Sequence, residues 1–330
     1  MYSFLLLSSL SGIVELGSVF LGIHLGVPIP KVISFPLFYQ LGNLMMNIIP
    51  NKRSVRITLS IIIVILTIFS STKCEYISLS IQLALTSFCI QAARNTYKKK
   101  CSVSLKRIFR ISGFLFSPLM LLFNGQLVII VSAIICLILT QKNVVSLTPH
   151  PNYDCKTISF VMIFHQMHYF VYTYIMPIYL FQITSSYIIS GIAFAVTWVV
   201  YILPQTIASK YNLTCYSFMF FVCHSFLAIC MLMMTLASLQ ENYLLVLLFW
   251  LLTGLGGGSV FCIKNLSNRY SQINMELSEN IGHSIGPVIA IVLCTLFPEK
   301  EVTYLSFASF GFVLIALTIA TAIRKEKKLK

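Results

Sequence analysis

The sequence predicts an all-helical integral membrane protein of twelve transmembrane helices, arranged as two six-helix bundles with both termini in the cytoplasm. Three observations predict this fold class. The first is composition, because 58% of the 330 residues are hydrophobic and only 10% are charged, whereas about a quarter of a soluble domain is charged. The second is a series of twelve apolar segments. The third is the way in which basic charge alternates between those segments.

Each apolar segment is close to the 20 or so residues that cross a bilayer as a helix. The first six cover 2–26, 29–49, 54–72, 76–95, 104–123 and 126–141, and the second six cover 157–182, 185–208, 213–236, 242–263, 274–297 and 302–323. The connections are short, so consecutive helices should be antiparallel neighbours. The first segment contains Glu15 and has no basic stretch before it, so we expect a retained span and not a signal peptide.

Basic residues mark the cytoplasmic side of a membrane protein, and they fall in every second connection here. The basic connections and the tail contain Lys52, Arg53, Arg56, Arg94, Lys98, Lys99, Lys100, Lys106, Arg107, Lys142, Lys156, Lys210, Lys264, Arg269, Arg324, Lys325, Lys327, Lys328 and Lys330. The other connections contain only Lys31, Lys73 and Lys300. A net charge of +14 also suits nucleic-acid binding, but this placement predicts a lipid bilayer as partner and no nucleic acid.

The longest polar connection, from Gln141 to Lys156, divides six spans from six. It gives an N-terminal bundle over 1–141, a cytoplasmic linker over 142–156, a C-terminal bundle over 157–323 and a basic cytoplasmic tail over 324–330. The linker contains Thr148, Pro149, His150 and Pro151, which favour turns and loops.

A weak internal repeat relates the two halves. Span 5 contains Gly113, Ser117 and Pro118, and span 11 contains Gly282, Gly286 and Pro287 at the same spacing. We assign these residues to close helix packing. Two repeats of the same orientation imply a pseudo-two-fold axis along the membrane normal, with a substrate site between the bundles near the midplane.

With these features, the chain resembles the major facilitator superfamily over essentially its whole length in topology. The span 5 signature of the family's exporters, G-x-x-x-G-P, is met by Gly113 and Pro118, with Ser117 in place of the second glycine. The family's loop signature between spans 2 and 3 is matched only in part, because its acidic residue is missing. The resemblance implies a compact, divergent secondary carrier in which two bundles rock around a central site, and the span 5 pattern favours export.

Glu15 is the sharpest single signal in the sequence. It lies in the middle of span 1 on a small, polar face formed with Ser8, Ser11, Ser18 and Gly22. A charged carboxylate at membrane depth is costly without a partner or water. A carboxylate that changes its protonation state is what a proton-coupled carrier needs, although a packing hydrogen bond is the other interpretation.

A histidine and tyrosine stripe follows one face of span 7, because His165, His168, Tyr169 and Tyr172 lie at i, i+3, i+4 and i+7. We expect these groups to bind substrate or protons and to face the same space as Glu15. Hydrogen bonding between helices is a second interpretation and metal ligation a third. The sequence names no third ligand beside the histidine pair, and we read His224 as a satisfied core histidine, so we predict no metal site and no cofactor.

A cytoplasmic gate is predicted where spans 5, 10 and 11 end or begin. Its candidates are Arg110, Lys264, Arg269, Glu276, Glu279 and His283, with the acids pairing with the bases. The alternative is a solvated helix start, where acidic residues suit the positive end of the dipole.

These features favour a secondary active transporter for a small organic solute, coupled to protons, acting as a monomer in the bacterial cytoplasmic membrane. The sequence contains no phosphate-binding loop, so we expect a gradient to drive it. The alternatives are a receptor or scaffold with a carrier fold, or a membrane metalloenzyme that uses the span 7 histidines. We do not expect an enzyme.

Overall fold

The computed structural model describes residues 2–48, 75–97, 103–123, 125–140, 159–266 and 272–328, together with 55, 57–59, 61–63 and 65. Throughout these residues the secondary structure is helical, without strands. The helices, labelled in chain order, are α1 Tyr2–His24, α2 Ile29–Ile48, α3 Glu75–Tyr97, α4 Val103–Leu115, α5 Leu119–Leu122, α6 Gly125–Thr140, α7 Phe160–Thr173, α8 Ile175–Thr184, α9 Tyr187–Lys210, α10 Tyr216–Leu239, α11 Tyr243–Gly258, α12 Val260–Leu266, α13 Gln272–Leu296 and α14 Glu301–Lys328. The predicted linker 142–156, the cations Lys52, Arg53 and Arg56, and Arg269 lie outside the described residues.

The helices form two compact units. The first contains Met1–Asn152 and Leu180–Ala195, and the second contains Tyr153–Tyr179 and Val196–Lys330. In the first unit, α1 packs against α2, α3 and α4. Its apolar core includes Leu7, Val14, Phe35, Leu83, Phe88 and Ile129. In the second unit, α7 packs against α13 and α14, and α10 packs against α11 and α14.

Seven stretches of the described residues are long and apolar enough to cross a membrane. They are Leu5–His24, Tyr76–Arg94, Tyr187–Lys210, Tyr216–Leu239, Tyr243–Leu266, Met275–Leu296 and Glu301–Thr321. Large apolar side chains such as Leu244 and Phe307 lie on the outside of the protein, where lipid and not water is the favourable solvent for them. The chain is therefore an integral, multi-pass membrane protein.

Two predicted spans are broken near proline. Span 5 divides into α4 and α5 at residues 116–118, and span 7 divides into α7 and α8 at Tyr174. Pro118 and Pro177 each lack an N–H group, and a proline ring clashes with the carbonyl four residues earlier. The start of α7 at Phe160 is set by Ser159, whose Oγ accepts a hydrogen bond from the Met162 N–H group.

In each unit, glycine allows two helices to approach backbone to backbone. A Cβ atom on Gly113 of α4 would lie 2.1 Å from the Ser9 carbonyl oxygen of α1. A Cβ atom on Gly282 of α13 would lie 2.6 Å from the Ile163 carbonyl oxygen of α7, and Gly286 abuts the Phe170 backbone of the same helix. Small residues permit such contacts in membranes. The contacts occur at the paired glycines of the predicted repeat.

These contacts fix how the two helix pairs correspond. Superposing Gly113 on Gly282 places Ser9 on Ile163, since each carbonyl faces its glycine. The same register places Glu15 on Tyr169, one residue after His168. The pair α1 and α4 in the first unit therefore corresponds to α7 and α13 in the second.

Replacing Gly113 with alanine should destabilise the protein. The new methyl group would overlap a backbone carbonyl that cannot rotate away, and overpacking typically costs about 1–3 kcal/mol. The midpoint of thermal unfolding in detergent should fall by several degrees. Gly311→Ala is the matched control, because a Cβ atom there meets nothing within 4 Å. An unchanged midpoint for Gly113→Ala would contradict the close contact.

Candidate functional site

Glu15 lies at the centre of a buried ion pair in the first unit. Its side chain is fully buried, and Arg110 of α4 donates from Nη2 to Oε2 at 2.5 Å. Gln40 of α2 donates from Nε2 to the other carboxylate oxygen at 3.1 Å. Both carboxylate oxygens therefore have a donor, which offsets the cost of burying the charge.

The ion pair belongs to a longer hydrogen-bonded chain. Asn43 Nδ2 donates to Gln40 Oε1 at 3.0 Å, and Ser87 Oγ donates to Asn43 Oδ1 at 2.9 Å. Four helices, α1, α2, α3 and α4, thus supply one connected set of polar side chains inside the unit. A fully connected network fixes the position of each of its members more firmly than isolated pairs do.

In the second unit, the predicted stripe on α7 is buried along its whole length. His165, His168, Tyr169 and Tyr172 are all at most 2% exposed. Neither Glu15 nor His168 faces lipid, but they belong to different units. The space that we predict them to share stays a prediction.

His165 lies between a carbonyl group and a second histidine. Its Nε2 is 3.2 Å from the Gly257 carbonyl oxygen, and its Nδ1 is 2.9 Å from Nε2 of His224 on α10. His224 Nδ1 is 3.1 Å from both the Phe220 carbonyl oxygen and Ser259 Oγ. The histidine that the sequence analysis placed in the core is thus a direct partner of the stripe.

His168 completes a cluster of three histidines. One ring nitrogen from each of His165, His168 and His224 can be chosen so that all three lie within 4.8 Å of one another. The His168 ring meets the His165 ring edge-on, with centroids 5.2 Å apart. Neither His168 ring nitrogen has a hydrogen-bond partner among the residues that the structure describes.

The tyrosines of the stripe form an aromatic wall beside the histidines. The Tyr169 ring lies 5.7 Å from the rings of Tyr172 and Tyr201 and 6.2 Å from that of Trp198. Gly257 makes room for this wall, because a Cβ atom there would lie 2.8 Å from the Tyr169 ring. The glycine-rich end of α11 therefore serves close packing around the stripe.

A second polar chain joins α7 to α13. His283 Nε2 donates to Gln166 Oε1 at 2.9 Å, and Gln166 Nε2 donates to Glu279 Oε1 at 3.4 Å. Lys264 Nζ lies 2.7 Å from the second oxygen of Glu279. The predicted contact between Lys264 and Glu279 is present, and its role as a gate stays a prediction.

Of the other gate candidates, Arg110 is bonded to Glu15 inside the first unit. Glu276 lies half-buried on α13, three residues before Glu279. Arg269 lies outside the described residues.

Sequence reasoning missed Gln40, Asn43 and Ser87 in the first unit. In the second unit it missed Gln166 and the contact of His224 with the stripe. Uncharged amide side chains within apolar segments are a weaker sequence signal than a buried carboxylate such as Glu15, so they were not assigned to the site. The sequence contained one signal for the contact of His224. Spans 7 and 9 are predicted to start on the same side of the membrane, which places His165 and His224 at comparable depth. Depth alone does not show that two helices are neighbours, so the contact could not be assigned.

Comparison with known proteins supports the fold. No family model matches the sequence, and no curated protein is similar to it in sequence. Among solved structures, the chain is similar to the nucleoside transporter NupG, with a TM-score of 0.63, 12% identity, and coverage of 100% of this chain and 99% of that one. A structure of a point mutant of NupG gives a TM-score of 0.65 at 12% identity, with 98% of this chain and 99% of that one covered.

A bacterial homologue of the iron transporter ferroportin, in an outward-facing state with soaked iron, is also similar. The TM-score is 0.60 at 12% identity, and the match covers 98% of each chain. These likenesses extend over nearly the full length of the chain, so it shares the fold of these structures. The neighbours are membrane transporters and not enzymes, which agrees with the prediction that the chain is not an enzyme.

Removing one member of the ion pair in the first unit should destabilise the protein. Glu15→Gln would leave Arg110 without its counter-charge, and breaking a buried pair in this way typically costs about 3–5 kcal/mol. Thermal unfolding in detergent should show a large drop in midpoint.

Glu241→Gln is the matched control for that measurement. Glu241 is 72% exposed and lies 3.9 Å from Lys300, and exposed pairs contribute about 1 kcal/mol or less. Equal midpoints for the two variants would show that Glu15 is not a partner that the fold depends on.

Proposed function

We propose that the chain is a secondary active transporter of a small, polar organic solute and a compact, divergent member of the major facilitator superfamily. Twelve spans would form an N-terminal bundle over 1–141 and a C-terminal bundle over 157–323, with the linker 142–156, the basic tail 324–330 and both termini in the cytoplasm. The membrane-length helices, the charge alternation and the full-length likeness to two transporters support this architecture.

One observation carries the proposal: each unit buries ionisable side chains at membrane depth in an otherwise apolar chain. Glu15 and Arg110 do so in the first unit, and His165, His168 and His224 do so in the second. Such residues are expensive in a membrane and mark substrate or ion pathways by default. A scaffold that only needs to pack has no use for this cost.

Proton coupling is assigned to Glu15. Arg110 is bonded to one oxygen of the Glu15 side chain. In the proposed cycle, substrate binding or helix movement separates the two groups, and a proton takes the place of Arg110. The coupling step that we propose is this replacement of Arg110 by a proton on the Glu15 side chain.

Substrate binding is assigned to Glu15, His165, His168, Tyr169 and Tyr172. They offer a carboxylate, imidazoles and aromatic walls, which suit a polar solute with hydrogen-bonding groups. Glu279 and Lys264 would serve as part of the cytoplasmic gate, with Glu276, His283 and Arg269. We further propose that the protein acts as a monomer in the bacterial cytoplasmic membrane, with export favoured by the Gly113 to Pro118 pattern.

The test is solute-driven proton movement in proteoliposomes. The purified protein is reconstituted with a pH-sensitive dye inside, and a panel of amino acids, sugars, nucleosides, organic acids and metal chelators is added under an imposed pH gradient. We expect one solute class to change the internal pH. Glu15→Gln should reduce the rate of the pH change at least tenfold per folded protein. His168→Ala should raise the solute concentration that gives half of the maximal rate. Glu241→Gln should match the unmodified protein.

Two outcomes would overturn parts of the proposal. Binding of a solute without movement of any solute in the panel would favour the receptor interpretation. Proton movement unchanged by Glu15→Gln would remove Glu15 from the coupling step.

A further inference from the structure

We propose that His165, His168 and His224 form a binding site for one divalent transition-metal ion inside the second unit. This inference goes beyond the proposed function, which assigns an organic solute and protons, and it concerns binding alone. It stands on the positions of the three rings, on the hydrogen bonds of two of them, and on the lack of such bonds between the His168 ring and the part of the chain that the structure describes.

The outer hydrogen bonds of two rings fix where their protons lie. The carbonyl oxygens of Gly257 and Phe220 can only accept, so His165 Nε2 and His224 Nδ1 carry the N–H groups that face them. Ser259 Oγ, also beside His224 Nδ1, directs its own proton to the Gly256 carbonyl oxygen at 2.6 Å. It therefore accepts from His224 as well.

These tautomers leave a conflict that a cation removes. In neutral rings with these tautomers, His165 Nδ1 and His224 Nε2 carry no proton. Each presents a lone pair to the other, and the two nitrogens are 2.9 Å apart. Two acceptors at that distance repel each other unless a proton or a metal ion lies between them. A backbone carbonyl holding the outer N–H group is also the usual way in which a metal-ligating histidine is oriented.

His168 provides the third ligand. It is fully buried, and both of its ring nitrogens lack a partner among the described residues. A buried polar group without a hydrogen bond is destabilising, and such a group in a folded protein calls for an explanation such as an ion. A metal ion between His165 and His224 would give a His168 nitrogen its partner.

The geometry is close to that of a metal site. With metal–nitrogen bonds of about 2.0–2.1 Å, two ligand nitrogens in a tetrahedral site lie about 3.3 Å apart. The nitrogens of His165 and His224 need to separate slightly from 2.9 Å. The widest separation in the cluster, up to 4.8 Å, needs to shorten by about 1.5 Å. Rotation of His168 can supply that change, because its ring has no hydrogen bond to break among the described residues.

The ligand set selects the class of metal. Three neutral imidazoles suit zinc, copper, nickel or iron(II), whereas magnesium and calcium prefer oxygen ligands. Three protein ligands on a four-coordinate ion leave one position open for water or for a donor atom of a solute. The alternative is a proton shared by His165 and His224, which would leave His168 unexplained.

The test is metal binding by the purified full-length protein, stripped with a chelator and titrated with Zn²⁺ or Co²⁺. We expect one equivalent to bind, and His168→Ala and His224→Ala each to weaken binding at least tenfold. His24→Ala is the matched control, since His24 is exposed at the end of α1 in the other unit, and it should bind like the unmodified protein.

Zinc X-ray absorption on the unmodified protein covers the case in which a variant does not fold. Three nitrogen ligands at about 2.0–2.1 Å are expected. Less than a tenth of an equivalent bound, sulfur ligands in the absorption spectrum, or unchanged affinity in folded His168→Ala and His224→Ala would each overturn the proposal. No step of this test involves transport, so a negative result would overturn the metal site and leave the transporter proposal untouched. Likewise, absence of transport in proteoliposomes would leave the metal site untouched.

Discussion

The backbone contact between α1 and α4, repeated between α7 and α13, is the constraint on which the polar networks of both units depend. Gly113 and Gly282 have no side chain to keep the helices apart, so carbonyl groups of the facing helix lie where a Cβ atom would be. At this separation Arg110 reaches Glu15, and His283 and Glu279 reach Gln166. Larger residues at the glycines would separate the donors from their acceptors.

The two contacts are alike in packing but differ in chemistry. In the first unit the contact holds a charged pair supported by Gln40, and in the second it holds an amide between an imidazole and an acid. A buried ion pair seldom stabilises a protein more than well-packed apolar residues would. This is why we propose a functional role for Glu15 and Arg110.

The sequence was sufficient to predict an all-helical membrane protein, because its apolar composition follows from the lipid around the chain. It also identified the glycines of the repeat and the buried faces around Glu15 and His168. The helix breaks at residues 116–118 and at Tyr174 were not predicted, since an apolar run shows where a chain can cross the membrane but not where its helix is interrupted.

Partners were the harder part to predict. Arg110 was one of three bases considered as partners for the acids of span 11, whereas the structure bonds it to Glu15, 95 residues earlier in the chain. His224 was read as a core histidine for the same reason, because α7 and α10 are far apart in sequence. Such pairs depend on which helices are neighbours, and periodicity within one helix carries no information about that.

The central claim is that the Glu15–Arg110 pair is kept for transport and not for packing. The most direct measurement is solute-driven proton movement in proteoliposomes that contain the double variant Glu15→Met/Arg110→Met, with its unfolding midpoint recorded alongside. Apolar replacement of both partners removes the buried charges together and leaves the Gln40 amide without its Glu15 acceptor. The midpoint should therefore fall much less than in Glu15→Gln, while proton movement is lost. Proton movement at the rate of the unmodified protein would contradict the claim.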